Sequence, residues 1–199
     1  MTSPEQKELQ KVSRLAAIYN MIPNLLWTAL FLIPMVIFCY AFMTLKTTCV
    51  LLGVSCIPIF FPNSFFDRIQ LSRSAQWYRK LGVKYINAFA QNGSLLNKIL
   101  KKKYPNFKVL SRTKASIKKQ YHQTYFFEKF HFSLLLFFTM VTIYAGFQGR
   151  FYWVLILTIS NLLYNIYPNL LQQYIRIKLR SAVTDKNNSW MVYRINACG

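Results

Sequence analysis

The sequence predicts an all-α integral membrane protein with about four transmembrane helices and basic amphipathic helices on the cytoplasmic side. Three observations carry this. Four long stretches, residues 15–45, 47–66, 132–149 and 151–175, contain no charged side chain. A helix needs roughly 20 apolar residues to cross the hydrocarbon layer, within a range of about 17–25. The chain is also 54% hydrophobic yet carries a formal net charge of +20. Finally, of its 25 basic residues only Lys46 and Arg150 fall in the short turns between paired apolar runs. The rest lie in 1–21, 67–129 and 176–199. An even number of spans puts those three segments on one side, and the positive-inside rule makes that side the cytoplasm.

The elements follow in order, within a single membrane domain of residues 1–199. Residues 1–20 read as a short polar helix leading into the first span, at about 22–45. No small-x-small cleavage site follows, and the residues around Cys39 make a poor lipoprotein signal, so this run reads as a retained anchor. The second span, about 48–66, holds Gly53, Pro58 and Pro62, and its helix is expected to be bent or partly inserted. Residues 67–130 form the cytoplasmic amphipathic segment. From 72 to 91, Trp77, Tyr78, Leu81, Tyr85 and Phe89 alternate with Arg73, Arg79, Lys80 and Lys84. Such a face suits anionic headgroups, making membrane lipids the expected partner. Asn92 and Gly93 stop that helix, and Ser94 caps a second one ending in Lys101, Lys102 and Lys103 before Pro105. Ser111 caps a third, which nothing interrupts before the third span at about 131–148. The fourth follows at about 151–175.

Several function classes are excluded. The basic charge comes with no nucleic-acid-binding motif, so no nucleic-acid partner is expected. Cys39, Cys49, Cys56 and Cys198 form no CxxC pair, which removes zinc ribbons and redox motifs. The acidic residues are Glu5, Glu8, Asp67, Glu128 and Asp185, and the histidines are His122 and His131. That is too few ligands for a di-iron or two-metal centre, and no metal site is expected. A Gly-rich phosphate loop, a Gly-x-Ser-x-Gly elbow and a His-x4-Asp box are all absent from the sequence.

Two patterns remain. Glu128 and His131 sit three apart, on one helical face at the mouth of the third span. A carboxylate there can raise the basicity of the imidazole and fix its tautomer, as a general base requires. The same face continues through Thr139, Thr142 and Gly146. The alternative pairs Glu128 with a nearby Lys and leaves His131 at the interface. The second pattern is Asn161, Asn165, Asn169, Gln172, Arg176 and Arg180, which at about 100° per residue fall within roughly 100° of arc. Polar groups within a membrane by default face a bundle interior. Interhelical amide bonding, worth about 0.6 kcal/mol on average, would explain one Asn. Six aligned positions point to a polar substrate groove, and Pro168 would open further carbonyls along it.

Several strings together resemble the glycosyl-4,4′-diaponeurosporenoate acyltransferase family, small bacterial membrane enzymes of carotenoid biosynthesis. They are Trp77, Tyr78, Arg79, Lys80 with Leu81, Gly82, Val83, Lys84; Asn92, Gly93 with Asn97, Lys98; and Glu128 with His131. The last comprises Asn165, Tyr167, Pro168 leading to Gln172, Gln173, Tyr174, Arg176, Lys178 and Leu179. The likeness covers roughly 58–180. Family members often carry Asn-Arg-Pro-Arg where this chain has Ile175, Arg176, Ile177 and Lys178.

The resemblance implies transfer of a fatty acyl chain to a sugar hydroxyl, the primary 6-hydroxyl of a carotenoid-linked glucose, at the cell membrane of a bacterium. It implies no cofactor beyond an activated acyl donor such as acyl-CoA or acyl carrier protein. His131 backed by Glu128 would deprotonate the hydroxyl. Asn161, Asn165 and Gln172 would bind the sugar of the lipophilic glycoside acceptor. Arg176 and Arg180, with Arg79 and Lys84, would hold the donor's phosphates. The rival readings are a non-enzymatic lipid-binding or assembly protein, and an acyltransferase for another glycolipid.

Overall fold

A computed structural model describes residues 4–83, 85 and 114–184. Helix α1 (Pro4–Phe42) is continuous, so the polar N-terminal segment and the first span form one rod. Helix α2 (Leu45–Ser55) follows a tight turn, with Thr44 Oγ1 accepting from Thr47 N at 3.2 Å as its N-cap. A 3-10 turn (Ile57–Phe60) and short helices α3 (Asn63–Arg68) and α4 (Ala75–Lys80) come next. Helix α5 (Lys114–Phe147) rises without interruption. Helix α6 (Phe151–Asn161), a π turn (Leu162–Ile166) and α7 (Tyr167–Thr184) return as one long, locally widened rod.

Three helices are long and apolar enough to cross a membrane: Leu25–Phe42, Ala115–Phe147 and Phe151–Arg180. The second apolar run is bent, as its prolines led one to expect. Its α2 and 3-10 turn together reach only about 25 Å, against a hydrocarbon layer of about 30 Å. Pro58 sits in the opening of the 3-10 turn and Pro62 precedes α3, so the backbone cannot continue as one α-helix. The amphipathic helix expected over 72–91 is interrupted at Leu81 and Gly82, with Val83 and Tyr85 helical again and residues 84 and 86–91 outside the described residues. Helix α4 ends at Lys80, and Gly82 then turns the chain at φ +76°, a left-handed conformation that costs other residues energy. The expected helices that begin at Ser94 and Ser111 start outside the described residues, as does Lys84.

The α5–α6 turn is a Schellman motif. Arg150 N donates to Ala145 O and Gly149 N to Gly146 O, both at 3.0 Å, with Gly149 at φ +67°. It folds α6 and α7 back along α5, the main packing partner of both. The core joins Met35 and Phe38 of α1 to Phe137, Phe138, Val141 and Ala145 of α5 and Leu157 of α6. Trp153 closes it against Phe38 and Phe42, at ring separations of 5.5 and 5.9 Å. Outward faces stay apolar: Tyr40, Leu45, Phe60, Phe147 and Phe151 are all strongly exposed. That surface suits lipid rather than water.

A second, smaller cluster clamps the segment between α3 and α4 onto α7. Tyr78 packs with Val83, Leu171 and Tyr174. Its hydroxyl accepts from Ser72 N and shares its proton between Ser72 O, at 3.1 Å, and Gln173 Oε1, at 2.9 Å. Burial pushes the phenol above its ordinary pKa, keeping that proton in place. Tyr78→Phe is expected to lower stability by about 1–3 kcal/mol, because buried partners are left unpaired. Thermal unfolding in detergent measures it.

Candidate active site

Between α5 and the antiparallel α6–α7 rod runs a polar seam, from Thr139 down to Glu128, about 16 Å along the helix axis. At its lower end Glu128 and Arg176 are 1% and 2% exposed and form an ion pair through Oε2 and Nη1. Glu128 Oε1 accepts from Gln173 Nε2 at 2.7 Å. Arg176 also reaches Asp67 (Nε–Oδ1, 3.5 Å), Phe66 O and Gln70 Oε1 (both 3.4 Å), and its guanidinium lies 4.4 Å from the Tyr125 ring centre. Tyr125 donates to Asp67 Oδ1 at 2.8 Å. A charge removed from water needs this degree of partnering. Arg176 thereby fastens α3 and the chain after it to the α5–α7 pair.

One turn up α5, His131 packs edge-on to Tyr164, with ring centres 5.9 Å apart. Its Nδ1 is buried with no hydrogen-bond partner. Tyr164 is held from the other side by Thr28 of α1 (hydroxyl to hydroxyl, 3.1 Å). Above this level, Asn165 Nδ2 donates to Asn161 Oδ1 at 2.8 Å. Asn161 Nδ2 lies 3.1 Å from Thr139 Oγ1 and 3.3 Å from Leu135 O. Asn169 is buried between Asn165 and Gln173.

The widened π turn explains this arrangement. Pro168 has no N–H for the carbonyl of Tyr164, four residues earlier, and its ring crowds that carbonyl. A π turn absorbs the conflict by fitting one extra residue, as at many functional sites. It also sets the helix phase back by about 100°. In a straight helix Gln172 would share the face of Asn161; after the π turn Gln173 does, while Gln172 is only half-buried.

The expected site residues are therefore divided. Glu128, His131, Asn161, Asn165 and Arg176 all line the seam. The hydrogen bonds of Glu128 run to Gln173 and Arg176 instead of to His131, because the antiparallel guanidinium outcompetes a neutral ring for the carboxylate. Arg176 is enclosed, so a donor phosphate does not meet it at the surface. The Asn161 amide is engaged at both ends within the seam. Arg79 and Arg180 are exposed. Sequence reasoning missed Gln173, Asp67, Tyr78, Tyr125 and Tyr164. A signal existed for Asp67, a lone carboxylate beside an apolar run, and for Gln173, given the Pro168 phase shift.

Several buried side-chain atoms have no hydrogen-bond partner: His131 Nδ1, Asn165 Oδ1, and both Nδ2 and Oδ1 of Asn169. Each such group costs about 1–3 kcal/mol unless something satisfies it. Together they offer unsatisfied neutral donors and acceptors within the seam. No three of His, Cys, Asp and Glu converge among the described residues.

Comparison with known proteins bears on the same region. No curated protein and no solved structure matches the chain. Residues 62–185 match the family model for glycosyl-4,4′-diaponeurosporenoate acyltransferase. That match spans well over half of the chain, taking in α3, α4 and the whole polar seam; the chain belongs to this family and is a membrane acyltransferase of the carotenoid-glycoside type.

Proposed function

We propose that the protein moves a fatty acyl chain from an activated thioester, acyl-CoA or acyl carrier protein, onto a sugar hydroxyl of a lipophilic carotenoid glycoside. The observation that supports this most is the pair of unpartnered buried polar atoms on Asn169, in the same seam as His131. They are a neutral donor and a neutral acceptor, able to pair with sugar hydroxyls, and they lie between apolar helices that suit a long aglycone. In this reading Asn169 binds sugar hydroxyls, with Gln172 at the edge of the site. His131 takes the hydroxyl proton. The oxygen then attacks the thioester carbonyl, the carbon–sulfur bond breaks, and the imidazolium returns its proton to the departing thiolate. Glu128 and Arg176 hold the two walls of the site together. Arg79 and Arg180, exposed on elements that pack against each other, attract the donor's phosphates, and Lys84 follows closely in sequence.

In the same reading residues 67–130 and both termini face the cytoplasm of a bacterial cell, with the α2 and 3-10 segment bringing the chain back across as a fourth, short crossing. The distribution of basic residues supports this orientation.

The test is acyl transfer in membranes containing the protein, supplied with labelled acyl-CoA and either the carotenoid glycoside or its aglycone. Labelled ester is expected with the glycoside alone. Ester formation on neither, with an acyl carrier protein donor also inactive, would reject the reading in favour of a lipid-binding protein.

A further inference from the structure

The amides above His131 carry a direction, and that direction originates in the backbone. Leu135 O can only accept, so the Asn161 atom facing it at 3.3 Å must be Nδ2. The same Nδ2 meets Thr139 Oγ1 at 3.1 Å. Asn161 therefore turns Oδ1 toward Asn165, which must answer with its own Nδ2, at 2.8 Å. Side-chain amides are otherwise ambiguous between N and O; here a main-chain carbonyl removes the ambiguity for both residues in turn. Asn165, fully buried, is left with Oδ1 as its one unpaired atom. His131, packed against the ring of the neighbouring Tyr164 at 5.9 Å between centres, has its Nδ1 buried and equally without a partner. An amide oxygen beside a ring nitrogen calls for a proton on that nitrogen.

We infer that Asn161 and Asn165 are positioning residues that hold His131 as the Nδ1–H tautomer, so that Nε2 is the nitrogen receiving the sugar proton. The inference rests on the reading of His131 as general base. The orienting group of a general-base histidine is often a carboxylate. Here neutral amides take that place, and no second charge is buried beside the ring. Glu128 is thereby released to pair with Arg176.

The experiment is 15N NMR of histidine-labelled protein in detergent micelles, at a pH where His131 is neutral. The chain has two histidines, and His131→Ala assigns the resonances. His131 is expected to be protonated on Nδ1 and bare on Nε2. Asn165→Leu is expected to convert it to a tautomer mixture, and to lower kcat about 10–100-fold with the acceptor KM little changed. Asn165→Asp, which keeps an acceptor, is expected to restore the Nδ1–H signal. His131 protonated on Nε2 in the unmodified protein overturns the inference, as does a tautomer indifferent to Asn165→Leu. Should that variant not fold, the spectrum of the unmodified protein decides alone. Full activity in His131→Ala would instead remove the general-base reading, and the spectrum would still report what the amides do.

Discussion

His131→Ala is expected to lower acyl transfer at least about 100-fold, the usual contribution of a positioned general base. No other residue among those described offers an imidazole within the seam, since His122 lies exposed near the start of α5. Solvent has poor access to the site, so water is a weak substitute for the missing base. His131→Gln preserves much of the volume against Tyr164 and Phe130 and is expected to fail equally. The check is initial rate per folded molecule, with folding scored by gel filtration and thermal midpoint. A loss in Ala but not in Gln would assign the effect to packing.

The second large effect is on stability. Glu128→Ala leaves Arg176 buried with only the half-exposed Asp67 to balance it. Breaking one side of a buried pair costs about 3–5 kcal/mol. That approaches the whole stability of many domains, about 5–15 kcal/mol, so the variant is expected to be recovered largely unfolded. Removing both charges, as Glu128→Leu with Arg176→Met, is expected to restore much of the loss, because no uncompensated charge remains. Folded yield and thermal midpoint of the three proteins test this. A single variant as stable as the parent would show that the pair does not fasten α3 to the bundle.

The long elements were legible because uncharged runs and the placement of lysines and arginines report on a bilayer directly. Helices α1, α5 and the α6–α7 rod correspond to three of the four expected spans. The second run was legible as bent from Pro58 and Pro62, and the structure breaks it there into α2, a 3-10 turn and α3. Within the site, the stripe from Asn161 to Arg176 was visible at helical spacing. Periodicity assumed a uniform 3.6-residue turn, whereas the π turn before Pro168 replaced Gln172 by Gln173. The pairing of Glu128 was hidden for another reason. Sequence proximity favours His131, three residues away, but the choice is made by Arg176, which only tertiary structure brings alongside. Tyr78 looked like an interfacial aromatic and Tyr125 carried no signal of its own, and their hydroxyls acquire partners only when α3 and α4 dock on the bundle.

The central claim is that the seam separates two tasks, with His131 and its amides performing proton transfer and Glu128 with Arg176 holding the walls. Steady-state acyl transfer by Glu128→Gln, corrected for folded protein, tests it most directly. The substitution keeps the side chain's length and its oxygen toward Gln173 while removing its charge. Turnover within about 10-fold of the parent is predicted, well above the loss of about 100-fold or more expected on removing a general base. A fall as deep as that of His131→Ala would mean that the carboxylate drives the chemistry, and would contradict the account.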